Sequence, residues 1–496
     1  MVRTKAGVKT YDVIVVGAGN AGLCAALAAR EAGASVLTLE KAPHQMRGGN
    51  TYFSGGSFRF AYEGLNEIRR LIHDFSDAEA EFIEIGGYAQ AQFREDMMRV
   101  SEGLADEELV DLLVEQAYPT MLWMRDHGIR WVPMYGRQAF TVDEMHRFWG
   151  GLTIEAVGAG PGLSDRLFAV AEGAGVHVQY EAEATRLHVD GSGRVIGLRM
   201  KGADGLEEVV SKAVVLACGG FEANTEMRVR YLGPDWELAK VRGTHLNTGD
   251  GIRLALDVGA MPFGDWSGCH AVAWDLNAPP YGNRMLGDLN QKHSYPFGLI
   301  VNVNGERFVD EGADFRNYTY AKYGREILKQ PQRVAFQLFD AKAQPLLRDE
   351  YRIAKVTKAT ANTIGELATT LGIDRDALAR TVEAFNSAVQ PGTFDPTRLD
   401  SKHTEGIAPP KSNWALPLDT PPYTGYAVTC GITFTFGGLR INRDAQVLDG
   451  EGQPMPGLYA AGEIIGGLFY HNYAGGSGLM AGAVFGKIAG TSAART

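Results

Sequence analysis

A glycine-rich turn between a buried strand and a helix, near the start of the chain, most constrains the fold. Residues 13–16 form an apolar run, and residues 17–22 follow with the spacing Gly-x-Gly-x-x-Gly. In such a unit Gly17 permits the tight turn, Gly19 lets the backbone approach a pyrophosphate, and Gly22 lets the helix pack on the strand. The phosphates then lie at the positive end of the helix. The pattern predicts a Rossmann-like α/β domain that binds a dinucleotide.

A second predicted strand ends at an acidic residue. The run at residues 35–39 leads into Glu40, about 20 residues after the glycine turn, where an acidic side chain accepts the hydroxyls of a ribose. The predicted nucleotide contacts in this part of the chain are Gly17, Ala18, Gly19, Asn20, Ala21, Gly22, Glu40 and Lys41.

Two distant segments favour FAD over NAD as the dinucleotide. Residues 213–221 form a strand that ends in two glycines. Near the end of the chain, residues 457–463 are a second glycine-containing segment, and the glycines of residues 475–479 open the last helix. Glycines at such places let backbone amides reach a large flat ring, and the amides at 475–478 are expected to stabilise negative charge on it. The predicted contacts here are Ala217, Gly219, Gly462, Glu463, Ser477, Gly478 and Leu479.

Composition narrows the function classes. The chain has 496 residues and a net charge of −11, which argues against a general nucleic-acid or acidic-membrane surface. Its four cysteines are widely spaced without a Cys-x-x-Cys pair, so we expect no metal or iron–sulfur centre in this chain. Residues 1–9 are short and polar and lack the features of a secretory signal, and no apolar run is long enough to span a membrane. We therefore expect a cytoplasmic protein.

Taken together, these segments resemble the flavoprotein family of fumarate reductases and succinate dehydrogenases over nearly the whole chain. The resemblance implies an FAD-binding domain at residues 1–265 and 423–496, and an inserted α+β capping domain that binds substrate at 266–422. Helical periodicity with few breakers predicts helix over much of 76–128, and a clear helix is predicted at 374–388.

The same resemblance extends to the segments around the flavin. Residues 48–51 and 54–56 resemble the family's segment beneath the ring, where succinate dehydrogenases carry a histidine that binds the flavin covalently. Asn50 stands at that position here, which favours non-covalent FAD. Residues 248–251 resemble the family's Thr-Gly-Asp-Gly turn. The implied flavin contacts are Gly49, Asn50, Thr51, Gly55, Gly56 and Asp250.

Two residues match the family's chemistry. Residues 305–309 look like its Gly-Glu-Arg-Phe-Val segment, after which an arginine transfers a proton; Arg316 is the matching position, one residue further along. Because the free pKa of arginine is above 12, this role requires a buried site, and the alternatives are carboxylate anchoring or a structural ion pair. His270 matches a histidine that contacts the substrate.

Two departures argue against fumarate or succinate as the best substrate. Thr433 replaces a histidine, and Tyr473 replaces an arginine, that bind substrate carboxylates in the family. Each lost charged hydrogen bond removes roughly 1.5–3 kcal/mol. Residues 470–478 instead look like the FAD-dependent tricarballylate dehydrogenases, which implies His471, Tyr473 and Thr433 as hydrogen-bond donors to a substrate with three carboxylates.

The resulting hypothesis is a dehydrogenase that desaturates tricarballylate to cis-aconitate. Arg316 removes a proton, a hydride passes to flavin N5, and the electrons go on to a separate acceptor such as a membrane-associated iron–sulfur or haem protein. The alternatives are a 3-ketosteroid-type dehydrogenase, a flavin-dependent oxidoreductase of cobalamin synthesis, and a flavin-binding electron-transfer subunit without enzyme activity.

Overall fold

A computed structural model of the protein describes residues 9–496. Residues 1–8, which contribute to the prediction that no secretory signal is present, lie outside the described part. The strands, in chain order, are β1 Lys9–Val16, β2 Val36–Leu39, β3 Ile83–Ile85, β4 Trp131–Pro133, β5 Ala139–Val142, β6 Met145–Phe148, β7 Ile154–Ala156, β8 His177–Gln179, β9 Glu183–Val189, β10 Val195–Gly202, β11 Gly205–Leu216, β12 Lys240–Val241, β13 Pro262–Phe263, β14 Cys269–Asp275, β15 Leu299–Asn302, β16 Ala335–Phe339, β17 Lys358–Ala361, β18 Tyr423–Thr435, β19 Gly438–Leu439, β20 Gln446–Leu448 and β21 Pro454–Ala460.

Helices connect and cover these strands. They are α1 Asn20–Glu31, α2 Gly49–Tyr52, α3 Leu65–Leu71, α4 Asp77–Ala80, α5 Gln90–Val100, α6 Glu107–Asp126, α7 Tyr135–Gln138, α8 Ala159–Gly173, α9 Thr225–Met227, α10 Asp250–Leu256, α11 Tyr320–Leu328, α12 Ile364–Leu371, α13 Arg375–Ala388 and α14 Ser477–Ala494. Short helical turns also occur, among them the 3-10 turns Arg316–Tyr318 and Gly462–Ile464.

The first sheet has a parallel core in the order β21, β11, β1, β2 and β8. Its central strands are apolar and buried, as expected of a parallel sheet covered on both faces. The antiparallel strands β9, β10 and β20 extend it at the margins. This sheet confirms the predicted α/β Rossmann-like fold.

The register brings the carboxyl ends of four strands to one edge. Val16 pairs with both Leu39 and Leu216, and Leu216 pairs with Ala460. The residues that follow these strand ends therefore lie side by side, although their sequence positions span most of the chain. Open parallel sheets bind ligands at such an edge.

The first and last helices pack closely through glycines. A Cβ added at Gly486 would lie 2.4 Å from the carbonyl oxygen of Ala21, and one at Gly490 would lie 2.0 Å from that of Ala25. The Asn20 side-chain amide donates to the carbonyl oxygen of Leu479 at 2.8 Å. The N-termini of α1 and α14 consequently meet beside the same sheet edge.

The second sheet surrounds the long strand β18. Its amino-terminal half pairs with β16 and β17, its carboxyl-terminal half pairs with β14 and β12, and β15 pairs with β16. Helices α12 and α13 cover part of this sheet with a separate apolar cluster. Helix α13 begins after Asp374, whose carboxylate accepts a hydrogen bond from the Ala377 amide at 2.8 Å, close to the predicted start.

The prediction of helix over much of 76–128 is wrong in part. The structure has two substantial helices there, α5 and α6, but α4 is a single turn and β3 interrupts the segment. Gly86 and Gly87 follow β3, and Gly103 has a φ of 78° before Asp106 caps α6. These glycines and the cap end the helical runs, which apolar periodicity alone does not reveal.

The division of the chain at residues 265 and 422 stays a prediction. The second sheet includes residues from both sides of these positions, because β12 precedes 265 and β18 begins at Tyr423. Within residues 9–496, no helix combines the length and the apolar character needed to cross a bilayer.

We predict that Gly490→Ala lowers the free energy of unfolding by about 1–3 kcal/mol, because the added methyl group would force α14 away from α1. Chemical denaturation of the FAD-loaded protein measures this change. The matched control is Gly173→Ala in α8, where a Cβ has open space and the helix gains propensity. Equal effects of the two substitutions would contradict the close packing of the two helices.

Candidate active site

One continuous cavity runs from the edge of the first sheet to the end of β18, and it brings together most of the predicted site residues. The predicted residues that line it are Gly17, Ala18, Gly19, Asn20, Ala21, Glu40, Lys41, Gly49, Asn50, Thr51, Gly55, Ala217, Gly219, Asp250, Gly462, Glu463, Gly478, Leu479, His270, Arg316, Thr433 and Tyr473.

The glycine turn leaves its backbone open to the cavity. Gly17 has a φ of 100°, and a Cβ there would lie 2.5 Å from the carbonyl oxygen of Ala217. A Cβ at Gly19 would meet nothing closer than the Thr51 hydroxyl oxygen at 3.4 Å. The Thr51 hydroxyl accepts a hydrogen bond from the Asn20 amide at 2.8 Å. The N-terminus of α1 is thus held in place with room beside it for a phosphate.

Glu40 and Lys41 form the rim next to this turn. The Glu40 carboxylate is buried and accepts a hydrogen bond from the Ala42 amide at 2.8 Å, and burial raises its pKa. Lys41 Nζ lies 2.7 Å from Asp250 Oδ2 and 3.2 Å from Glu183 Oε1. This ion pair joins the Thr-Gly-Asp-Gly turn to the end of β2.

A buried polar network lies behind the middle of the cavity. Asn50 donates to Glu222 Oε1 at 2.6 Å and to the Thr433 carbonyl oxygen at 2.9 Å, and it accepts from the Thr244 amide at 3.0 Å. Asn247 donates to the same Glu222 oxygen at 2.7 Å. The Asn50 amide is thus occupied by structural hydrogen bonds, and the non-covalent attachment of FAD stays a prediction.

Glu222 and Glu463 are two carboxyl groups in contact within this network. Glu463 accepts a hydrogen bond from the Thr435 amide at 2.9 Å. Burial, and then the neighbouring Glu463 carboxylate, raise the pKa of Glu222 well above its usual range. Burial raises the pKa of Glu463 as well, so the pair favours retention of a shared proton, and Glu463 is the member that lines the cavity.

The start of α14 differs from the expectation. The Tyr473 hydroxyl accepts hydrogen bonds from the amides of Gly476 at 2.8 Å and Gly478 at 3.1 Å. Two of the amides expected to face a flavin ring are therefore directed at this phenol. Tyr473 holds the backbone at the start of the last helix, and its ring lines the cavity near the end of β18. We call this part of the cavity, away from the glycine turn, the far end.

Arg316 lies half-buried at that far end, and its hydrogen-bond partners are neutral. Its Nη2 donates to the Arg137 carbonyl oxygen at 2.9 Å and to Gln138 Oε1 at 2.8 Å. Its Nε has no acceptor among residues 9–496, and burial lowers its pKa. A guanidinium held this way is suited to bind an anion or to release a proton.

The side chain of His270, on β14, is surrounded by aromatic rings. Its ring stacks on Tyr473 with centroids 4.8 Å apart and meets Tyr320 and Phe434 edge-on. Neither ring nitrogen has a partner in the described part of the chain. Burial, and then the charge of Arg242, lower the pKa of His270 well below its usual range, so the imidazole is neutral.

Four predicted residues do not line the cavity. Gly22 packs on the Gly17 backbone, Gly56 packs on the backbone of Ala159, and Ser477 is buried in the first turn of α14. His471 has a φ of 58°, its side chain is 46% exposed, and its amide donates to Asp265 Oδ2 at 3.0 Å. The structure does not bring the His471 imidazole to the other predicted groups.

Sequence reasoning missed three buried residues of this region. Arg242 and His293 line the far end of the cavity. Arg59, which is fully buried, donates to the Gly475 carbonyl oxygen at 2.7 Å and so holds the segment before α14. Arg242 lies close in sequence to the Thr-Gly-Asp-Gly turn at residues 248–251, which was the one available signal for it.

Comparison with known proteins agrees with this geometry. A family model described as "FAD binding domain" matches residues 12–479. A probable fumarate reductase of Shewanella frigidimarina is 30% identical over 495 residues, which cover 98% of this chain and 75% of that protein. A 3-oxosteroid 1-dehydrogenase of Mycobacterium tuberculosis is 27% identical over 97% of this chain and 98% of its own length. The solved open conformation of a flavocytochrome c3 fumarate reductase has a TM-score of 0.72 and 29% identity, and covers 99% of this chain and 79% of its own.

The family match indicates that the cofactor of the protein is FAD, and this cavity is the candidate site for it. The residues present fit it: the open backbone at Gly19 and the N-terminus of α1 suit the pyrophosphate, and Glu40 suits the adenosine ribose. The cavity then continues past Gly219 and Glu463 toward the unpartnered nitrogens of Arg316 and His270.

We predict that Glu222→Gln makes stability less dependent on pH. A carboxyl group whose pKa is raised by folding stabilises the fold fully below its unfolded pKa, about 4.3, and loses that contribution as the pH rises toward its folded pKa. The wild type should therefore lose stability relative to the variant as the pH rises above 5, by up to about 1.4 kcal/mol per pH unit.

Melting curves of the FAD-loaded proteins across this pH range measure the difference. The control is Glu226→Gln, since Glu226 is exposed on α9, close in sequence. If the wild type and Glu222→Gln share one pH profile, Glu222 does not hold a proton in the folded protein.

Proposed function

This chain belongs to the FAD binding domain family and is an FAD-dependent oxidoreductase that acts on carbon–carbon bonds, and we propose that it desaturates a polycarboxylate. The proposed substrate is tricarballylate, converted to cis-aconitate. The observation that carries this proposal is the half-buried Arg316, which is held by neutral acceptors and lines the same cavity end as the neutral His270.

The chemistry requires a base next to a carboxylate. Desaturation removes a proton from one carbon and a hydride from its neighbour, and bound FAD supplies the acceptor for the hydride. Arg316 is the proposed base, because burial disfavours its charged form and no carboxylate is among its hydrogen-bond partners. His270 is proposed to donate a hydrogen bond to the substrate from its unpartnered ring.

The proposed choice of substrate rests on the side chains that line the far end of the cavity. Thr433 and Tyr473 are neutral where the resemblance leads us to expect charged clamps, and Tyr473 also anchors the start of α14. We propose that Thr433 and Tyr473 contact substrate as hydrogen-bonding groups. The exposed His471 is less well placed for the role that the sequence suggested. The burial of this end excludes water from the reacting carbons.

A separate electron acceptor completes the proposed reaction. We propose a membrane-associated iron–sulfur or haem protein for this role. Similarity to a flavocytochrome supports the haem alternative. The cytoplasmic location expected from the sequence stays a prediction.

A 3-ketosteroid-type dehydrogenase is the second candidate. It is supported by the 3-oxosteroid relative and by the aromatic wall of Tyr320, Phe434, Phe469 and Tyr473. The guanidinium groups of Arg137, Arg242 and Arg316, which line the same cavity, favour an anionic substrate over an apolar one.

We predict that tricarballylate bleaches the visible absorbance of the FAD-loaded enzyme under anaerobic conditions, with cis-aconitate as the product. Mass spectrometry identifies the product, and 4-androstene-3,17-dione serves as the uncharged comparison. The proposal fails if tricarballylate leaves the absorbance unchanged and cis-aconitate does not reoxidise the reduced enzyme. Bleaching by the steroid alone would select the second candidate.

We predict that Arg316→Gln slows bleaching by about 10²–10⁴-fold while FAD content is retained, because the variant lacks the group that takes the proton. Stopped-flow absorbance measures the rate. Arg352→Gln is the control, since Arg352 is 55% exposed and pairs with Asp349 on the surface. A rate equal to that of the control would mean that another group removes the proton.

A further inference from the structure

A buried cation at the far end of the cavity has no role in the mechanism described so far. Arg242 follows the short strand β12, which pairs in parallel with β18. The Arg242 amide donates to the Ile432 carbonyl oxygen at 2.7 Å, which continues this pairing by one residue. The side chain of Arg242 is thereby placed next to Thr433, although the two residues are 191 positions apart.

The Arg242 guanidinium is incompletely paired. Its side chain is 8% exposed, its Nη1 lies 3.4 Å from Thr433 Oγ1, and its Nη2 lies 3.7 Å from Asp288 Oδ2. Its Nε has no acceptor within the described residues. Asp288 is already engaged by Arg137, with nitrogen–oxygen distances of 2.5 and 2.8 Å. One carboxylate thus serves two guanidinium groups.

The groups around Arg242 do not neutralise it. After burial, the charges of Arg316 and Arg242 lower the pKa of His293 well below its usual range, so this histidine is neutral like His270. Tyr320 is a buried phenol whose pKa burial raises. At this end the guanidinium groups of Arg137, Arg242 and Arg316 line the cavity together with one carboxylate, that of Asp288, while the Glu350 charge acts on Arg137 and Arg316. Uncompensated buried charges are costly, and an anionic ligand would compensate them.

We propose that Arg242 is a specificity-determining residue that binds a substrate carboxylate, in place of the clamps absent at Thr433 and Tyr473. This inference rests on the proposed function, and it assigns one carboxylate of the polycarboxylate substrate to Arg242. The unpartnered Nε and the Nη groups provide the fork that binds a carboxylate through two hydrogen bonds. Arg242 forms no covalent bond to the substrate and transfers no proton.

The test compares ligands that differ by one carboxylate. Tricarballylate, glutarate, which lacks its central carboxylate, and methylsuccinate, which lacks a terminal one, are titrated into the FAD-loaded protein, and binding is measured by calorimetry. Arg242→Gln should weaken tricarballylate binding about 10- to 100-fold. The loss should nearly vanish for glutarate or for methylsuccinate, whichever lacks the carboxylate that Arg242 binds.

Two further variants make the result specific. Arg242→Lys should recover part of the affinity, because lysine keeps the charge but not the planar fork. Arg352→Gln should bind all three acids as the wild type does. FAD content and melting temperature report whether each variant is folded.

The outcomes separate the two proposals. An equal loss for all three acids, or a wild type that binds none of them, would overturn the role of Arg242. If the wild type binds tricarballylate and Arg242→Gln shows the selective loss, but the flavin is not bleached, the role of Arg242 stands and the proposed reaction fails.

Discussion

The structure depends on the parallel register of the first sheet. Pairing of Val16 with Leu39 and Leu216, and of Leu216 with Ala460, ends four strands at one edge. Each strand end is followed by a turn, and the close packing of α1 on α14 adds two helix N-termini to the same place. A dinucleotide site needs backbone amides from several directions, and this register supplies them from segments that are distant in sequence.

The opposite end of the cavity depends on incomplete charge compensation. Asp288 is shared between Arg137 and Arg242, and Arg316 is held by a carbonyl and an amide oxygen. Nearby histidines are neutral because they are buried beside these arginines. A substrate with several carboxylates would complete this wall, and the Tyr473 hydroxyl, whose oxygen accepts from two amides at the start of α14, keeps its O–H to donate. In the proposed function, one end of the cavity holds FAD and the other end attracts an anionic substrate.

Local patterns were enough to predict the nucleotide end. The glycine turn at 17–22, Glu40, Ala217 and Gly462 each belong to a short motif whose geometry is set by neighbours in sequence. The far end was predicted less completely, since Arg242 reaches Thr433 only through the pairing of β12 with β18. His471 has a positive φ and an exposed side chain. Two amides at the start of α14 are directed at the Tyr473 hydroxyl. Such features depend on tertiary contacts that no local pattern encodes.

A crystal structure of the FAD-loaded protein with tricarballylate would test the division of the cavity most directly. The account predicts the pyrophosphate at the N-terminus of α1, the flavin ring between the glycine segments and the wall formed by Arg316 and His270, and ligand carboxylates hydrogen-bonded to Arg316 and Arg242. A ligand bound with its carboxylates away from both guanidinium groups would contradict it.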